Sequence, residues 1–119
     1  MLQMINKKRR IYYFGLIAEI IAALYLRCKF YQIIARRYKS PFGEIDIIAK
    51  KANQIIFIEV KARQNISLMD FISKRQQNRI NKAAQYYLLR YTKYQDFNLR
   101  FDAIIMNKYF FPIHFKSYW

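Results

Sequence analysis

The stretch from Gly43 to Arg63, GEIDIIAKKANQIIFIEVKAR, decides how this chain folds. Two apolar runs between Ile47 and Phe57 flank the polar segment Lys50-Lys51-Ala52-Asn53-Gln54, the pattern of a β-hairpin with a loop slightly longer than the two-residue kind. Side chains alternate along a strand, so Glu59, Lys61 and Arg63 share one face while Ile58, Val60 and Ala62 share the other. With antiparallel pairing about the centre of that turn, Asp46 falls opposite or diagonal to Glu59, within reach of a cross-strand contact. A compact Asp/Glu/Lys cluster at the open end of a hairpin is the expectation.

The chemistry open to such a cluster is narrow. Two carboxylates held close together repel unless one is protonated or a cation sits between them, and hard oxygen donors that leave room for water suit Mg²⁺ or Mn²⁺. A cation there lowers the pKa of a bound water and polarises a phosphoryl oxygen. A lysine two residues from a ligand orients that water or offsets charge growing on the phosphate. Phosphodiester hydrolysis needs all of these, which makes Asp46, Glu59 and Lys61 candidate catalytic residues and Asp46 and Glu59 candidate metal ligands. Glu44 lies on Asp46's face and reads as the partner of a nearby arginine or as a second ligand.

Upstream, Lys7 to Arg10 form a basic lead-in to the apolar run Ile11 to Leu26. The 16 residues between Arg10 and Arg27 make roughly 24 Å of helix, shorter than the ~30 Å hydrocarbon core of a bilayer. Glu19 at the centre would cost about 2.5 to 3.5 kcal/mol at that depth, and no clean cleavage site follows, so a core helix is expected rather than an anchor. Glu19 shares a stripe with Tyr12, Gly15, Leu16, Ala22, Ala23 and Leu26, whose small residues let a sheet approach. The rear stripe of Ile17, Ile20, Ile21 and Leu24 is apolar as well, which suggests a homodimer interface through this helix or a membrane-surface contact.

Phe30 to Lys39 read as a strand ending in the basic cluster Arg36-Arg37-Tyr38-Lys39, with Ser40-Pro41-Phe42-Gly43 as the turn into the Asp46 strand. Cations interleaved with an aromatic suit a polynucleotide backbone and its bases. Ile72 to Tyr91 form a second long helix, with an apolar face of Ile80, Ala83, Ala84, Tyr87, Leu88 and Tyr91 and with Arg75, Arg79 and Lys82 on the far side. Asn98 to Met106 alternate as a strand carrying Arg100 and Asp102 as a structural pair, and Phe110 to Trp119 close the chain as an edge strand. Nucleic-acid contacts are therefore assigned to Arg36, Arg37, Lys39, Arg63, Arg75, Arg79 and Lys82.

The 119 residues make one domain, and no Pro/Gly/Ser-rich stretch offers a linker. With 22 basic against 7 acidic residues, the net charge of +15 points to a polyanionic partner, nucleic acid or an anionic membrane surface. A lone cysteine, Cys28, excludes an intrachain disulfide, reads as a small apolar residue and fits a cytoplasmic location. The single histidine, His114, leaves no Cys/His set for zinc and reads as a late-strand position.

These residues together resemble the YraN family of uncharacterised bacterial proteins, itself similar to restriction-endonuclease and Holliday-junction-resolvase nucleases, whose active site reads Asp, a variable gap, then Glu-x-Lys. The resemblance runs in order through most of the chain. Gly15, Glu19, Ala22, Ala23 and Leu26 carry it first, followed by Arg36, Gly43 to Asp46 and Phe57 to Arg63. Arg79-Ile80, Ala83-Ala84, Tyr87-Leu88 and Arg100-Phe101-Asp102 complete it. It implies a restriction-endonuclease-like α/β fold, a mixed sheet flanked by helices in the order α-β-β-β-α-β-β, and catalytic roles for Asp46, Glu59 and Lys61 with Glu19 as a helix-borne acid. The chain departs from the pattern at Phe30, where a glycine is usual, and at Gln76, where a lysine is common and for which Lys74 is two residues out of register.

The expected function is a Mg²⁺- or Mn²⁺-dependent endonuclease of structured or branched DNA. A non-catalytic nucleic-acid scaffold is the alternative, and a peripheral membrane protein the third reading. The charge balance predicts that binding to double-stranded DNA weakens steeply with salt, with a log–log slope that counts several neutralised phosphates. Anisotropy titrations between low and physiological salt check this, and a flat affinity overturns it.

Overall fold

In the computed structural model, which describes residues 1–63 and 72–119, the 43–63 stretch forms the hairpin that its alternation requires. Strand β2 (Gly43–Lys51) pairs antiparallel with β3 (Gln54–Ala62), Lys51 opposite Gln54, so the loop is the two residues Ala52-Asn53 and shorter than the sequence suggests. Lys50, Lys51 and Gln54 are polar yet continue the ladder. Ala52 supplies the positive φ (53°) that a tight hairpin needs at its first loop position.

The other elements follow in the expected order. Helix α1 (Leu2–Cys28) precedes β1 (Gln32–Ser40), and α2 (Lys74–Arg90) links β3 to β4 (Asn98–Met106), with β5 (Pro112–Phe115) last. One five-stranded sheet runs β1-β2-β3-β4-β5, antiparallel except for the β3–β4 pair, the one joined by a helical crossover. Helix α2 starts at Ser73, whose side chain accepts the Gln76 backbone N–H. The fifth strand is four residues long rather than ten. Beyond it the chain turns back, Tyr118 donating to the Phe101 carbonyl and Trp119 stacking on Phe101.

The helices cover opposite faces of the sheet. On one, Ala18, Ala22, Ala23 and Leu26 of α1 pack on Ile47, Ala49, Ile56, Ile58 and Ile104; on the other, Ile80, Ala83, Ala84 and Tyr87 of α2 pack on Ile45, Ile48, Ile55 and Phe57. Three small alanines on α1 bring its backbone close to the sheet, which is how an acid on the same helix comes near the strand carboxylates.

Three expectations about α1 change. The basic lead-in is itself helical, since Lys and Arg are strong helix formers, and the 27 residues measure about 40 Å. By length and hydropathy the helix could therefore cross a membrane, and 22% of its apolar stretch is buried, through an alanine face that packs on the sheet. Of the rear stripe, Ile17, Ile20 and Leu24 are exposed, whereas Ile21 packs against the core. Cys28, in the last turn, is exposed rather than a core residue.

The strain at Ala52 is testable. Removing its Cβ relieves about 1–2 kcal/mol of left-handed strain, against about 0.4–1 kcal/mol of added unfolded-chain entropy. Ala52→Gly is expected to raise the unfolding free energy by a net ~0.5–1 kcal/mol, read as a raised urea midpoint, and a lowered midpoint contradicts the observed loop.

Candidate functional site

Residues two apart in a regular strand face the same way, yet Ile45 packs on the α2 side and Ile47 on the α1 side. Strand β2 turns over between them, at Asp46. Its neighbour β1 does the same in the matching row, where Arg37, with φ of 52°, lies between the pairs Arg36–Ile47 and Tyr38–Ile45. The β2–β3 ladder stops at Ile47–Ile58, and the Val60 N–H instead donates to Asp46 Oδ2 at 2.8 Å. Such local irregularities re-aim side chains at sites. Continuing the register by one places Asp46 opposite Glu59, as the sequence spacing predicts.

The two carboxyl groups are close enough to hydrogen-bond through one proton. Burial pushes Glu59 up to about 9, and the charge of Asp46 adds to this while Lys61 opposes it. Asp46 is also raised, by burial first, with the Val60 N–H and Glu59 acting the other way. Near neutral pH Glu59 therefore keeps its proton and shares it with Asp46.

Glu59 Oε1 accepts from Gln76 Nε2 at 2.9 Å and lies 3.8 Å from Lys61 Nζ. The residue standing where a lysine was expected thus hydrogen-bonds the acid directly. The sequence showed this only as a departure from pattern. Asp46, Glu59 and Gln76 line a polar cavity of about 240 Å³ with Gly43, Glu44, Arg79 and Ile80. Gly43, at φ 145°, has a conformation that L side chains rarely adopt, while the space beside it, with Arg79 Cβ 3.7 Å from an added Cβ, is ordinary. Exposed Glu44 forms no salt bridge among the described residues.

Glu19 comes from the α1 side. Its Oε1 is buried without a hydrogen-bond partner among the described residues, and burial, then the charge of Asp46, raises its pKa against Arg37 and Arg36. Glu19 and Lys61 stand outside the cavity lining, and among the described residues no three His, Cys, Asp or Glu side chains form a metal-holding group. The fit to a hard dication therefore rests on the Asp46–Glu59 pair: all-oxygen donors, one shared proton to displace, and an uncommitted carboxylate oxygen nearby.

The predicted phosphate contacts fall into three groups. Arg36, Arg37 and Lys39 are exposed on β1, with Arg37 bonded to the Tyr12 side chain and near Glu19. Arg75, Arg79 and Lys82 are exposed on α2, Arg79 at the cavity itself. Arg63 is set apart, its Nη1 donating to the Ala62 carbonyl in a cavity with Lys7, Arg10 and Phe14 of α1.

The fold and this site define an α/β domain, a five-stranded mixed sheet between two helices, whose central hairpin carries a carboxyl pair beside a lysine. The chain belongs to UPF0102, an uncharacterised protein family whose model matches residues 18–106. It is similar to UPF0102 proteins of Rhodopseudomonas palustris strain BisB18 (44% identical, covering 87% of this chain and 77% of the relative) and strain BisA53 (46%, covering 84% and 78%). The match to that of Parvibaculum lavamentivorans is 38% identical and covers 91% of this chain and 82% of the relative.

The raised pKa of Glu59 has a sign. Its folded value of about 9 lies above the ordinary glutamate value of 4.5, so the folded state binds more protons than the unfolded between them. The resulting stability is full below the lower value and is lost as pH rises through the upper one. Urea midpoints are expected to fall from pH 5 to pH 9, and Glu59→Gln to flatten that fall and raise Tm at pH 8 by about 3–6 °C. A wild-type profile that rises over this range contradicts the shared proton.

Proposed function

We propose that this protein is a Mg²⁺- or Mn²⁺-dependent endonuclease that hydrolyses DNA phosphodiesters. The observation that carries the reading is the Asp46–Glu59 carboxyl pair, within hydrogen-bonding reach of each other beside Lys61, with burial pushing Glu59 up to about 9. Such a pair takes a divalent cation in place of the proton, and that cation supplies the charge that acidifies a bound water and polarises the phosphoryl group. The protein's own groups do the rest. Gln76 holds Glu59 Oε1 in place, and Lys61 orients the attacking water or neutralises a phosphate oxygen. Arg79 binds the phosphate at the cavity, and Glu19 has an uncommitted oxygen to take a proton. The net charge of +15 draws the polyanion to the site. The reduced thiol of Cys28 suits the cytoplasm, where DNA is found.

A second reading, a nucleic-acid-binding scaffold without catalysis, is favoured by one observation. Among the described residues no third ligand joins the pair in a metal-holding group.

Calorimetry with Mn²⁺ and cleavage of linear, flapped and four-way DNA decide between them. Wild type is expected to bind Mn²⁺ near pH 7.5 with release of about one proton, seen as a buffer-dependent heat, and to cut at least one substrate. Asp46→Asn and Glu59→Gln lose both metal and cutting, while Lys61→Ala keeps the metal and loses about 10²–10³-fold in kcat. A wild type that takes up neither cation with DNA present and cuts nothing leaves the scaffold.

A further inference from the structure

Helix α2 carries more along its flank than the cations assigned to it. Arg75, Arg79, Lys82, Tyr86 and Arg90 are spaced four, three, four and four residues apart, a single stripe about 22 Å long. The four cations are exposed and Tyr86 is half-buried. The stripe meets the acid cavity at Arg79. Toward its C-terminal end it meets the β1–β2 turn, where Phe42, 49% exposed, lies edge-on to Tyr86 with ring centroids 6.3 Å apart. That turn is braced, since Ser40 Oγ donates to the Gly43 carbonyl at 2.7 Å and accepts the Phe42 N–H at 3.2 Å. Phe42 is thus held out in solvent next to Gly43 of the cavity wall. Arg90 donates to the Tyr86 hydroxyl at 3.3 Å and lies over its ring. Glu44, in the cavity wall, is the acid adjoining this strip.

We infer that this strip binds the single-stranded arm of a DNA substrate, its cations taking successive phosphates while Phe42 and Tyr86 stack unpaired bases. The inference rests on the nuclease reading for the choice of DNA. The shape of the strip selects the single strand. A duplex hides its base faces within its own stack and presents two backbones, whereas this surface offers one file of cations and two aromatic side chains beside it. An exposed phenylalanine on a braced turn contributes little to a phosphate-only contact, and a flipped-out or frayed base gives it a partner.

The test compares binding of an oligothymidylate of about ten nucleotides and a duplex of the same length, by anisotropy at moderate salt with a chelator present so that nothing is cut. Wild type is expected to bind the single strand more tightly. Phe42→Ala and Tyr86→Ala each weaken that binding by roughly 5- to 150-fold with little effect on the duplex, and Tyr86→Phe retains it. Because Phe42 is exposed, its variant keeps the test valid even if Tyr86→Ala fails to fold, which circular dichroism reports. Equal affinity for the two forms, or aromatic variants that bind like wild type, overturns the strip. Loss of duplex and single-strand binding together also overturns it. Cleavage that persists after such a result leaves the nuclease reading standing, and single-strand binding without any cleavage leaves the strip standing alone.

Discussion

Two carboxyl groups held side by side and largely out of water resist ionising together, and the structure around Asp46 and Glu59 is organised by that constraint. A fully paired sheet would bury the end of β2 against apolar neighbours. Instead β2 turns over at Asp46, β1 at Arg37, and the Asp46 carboxylate takes the N–H of Val60 that the ladder leaves unpaired. The turned-over strand ends open a polar cavity in an otherwise apolar layer. Gly43, Gln76 and Arg79 occupy its wall, and α1, brought close by three alanines, sets Glu19 on the other side.

A second buried carboxylate shows the contrast. Burial works to raise Asp102 too, but its oxygens accept from Arg100, from His114 and from the Ser117 N–H, which outweigh burial and hold it below the usual range. Arg100 is itself shared with Tyr31 and Gln54. Every partner of Asp102 is built into the fold, tying β1's approach, β3, β4 and β5 together. Among the described residues the site carboxylates lack such a set: Glu59 shares its proton with Asp46, and Glu19 Oε1 has no hydrogen-bond partner. A satisfied acid stabilises a fold, and an under-satisfied one is poised to take a ligand.

Much of this was legible in the chain. The two apolar runs either side of Lys50–Gln54 set the hairpin and brought Asp46 opposite or diagonal to Glu59, and the spacing of Ile80, Ala83, Ala84 and Tyr87 set the buried face of α2. The extent of α1 was not, because lysine and arginine propagate a helix as well as the apolar residues that follow them. Nor was the role of His114. A lone histidine in a short strand carries no pattern, and Asp102, its partner, precedes it by 12 residues across a strand pair.

The sequence by itself determined the α-β-β-β-α-β-β order, the positive charge and the pairing of the two acids, because periodicity, composition and hairpin register are local properties. Tertiary structure alone decided that the acids share a proton, that Gln76 caps one of them and that Glu19 arrives from the opposite face. Those outcomes depend on burial and on contacts between residues far apart in the chain, and desolvation is set by the packed whole rather than by any segment of it.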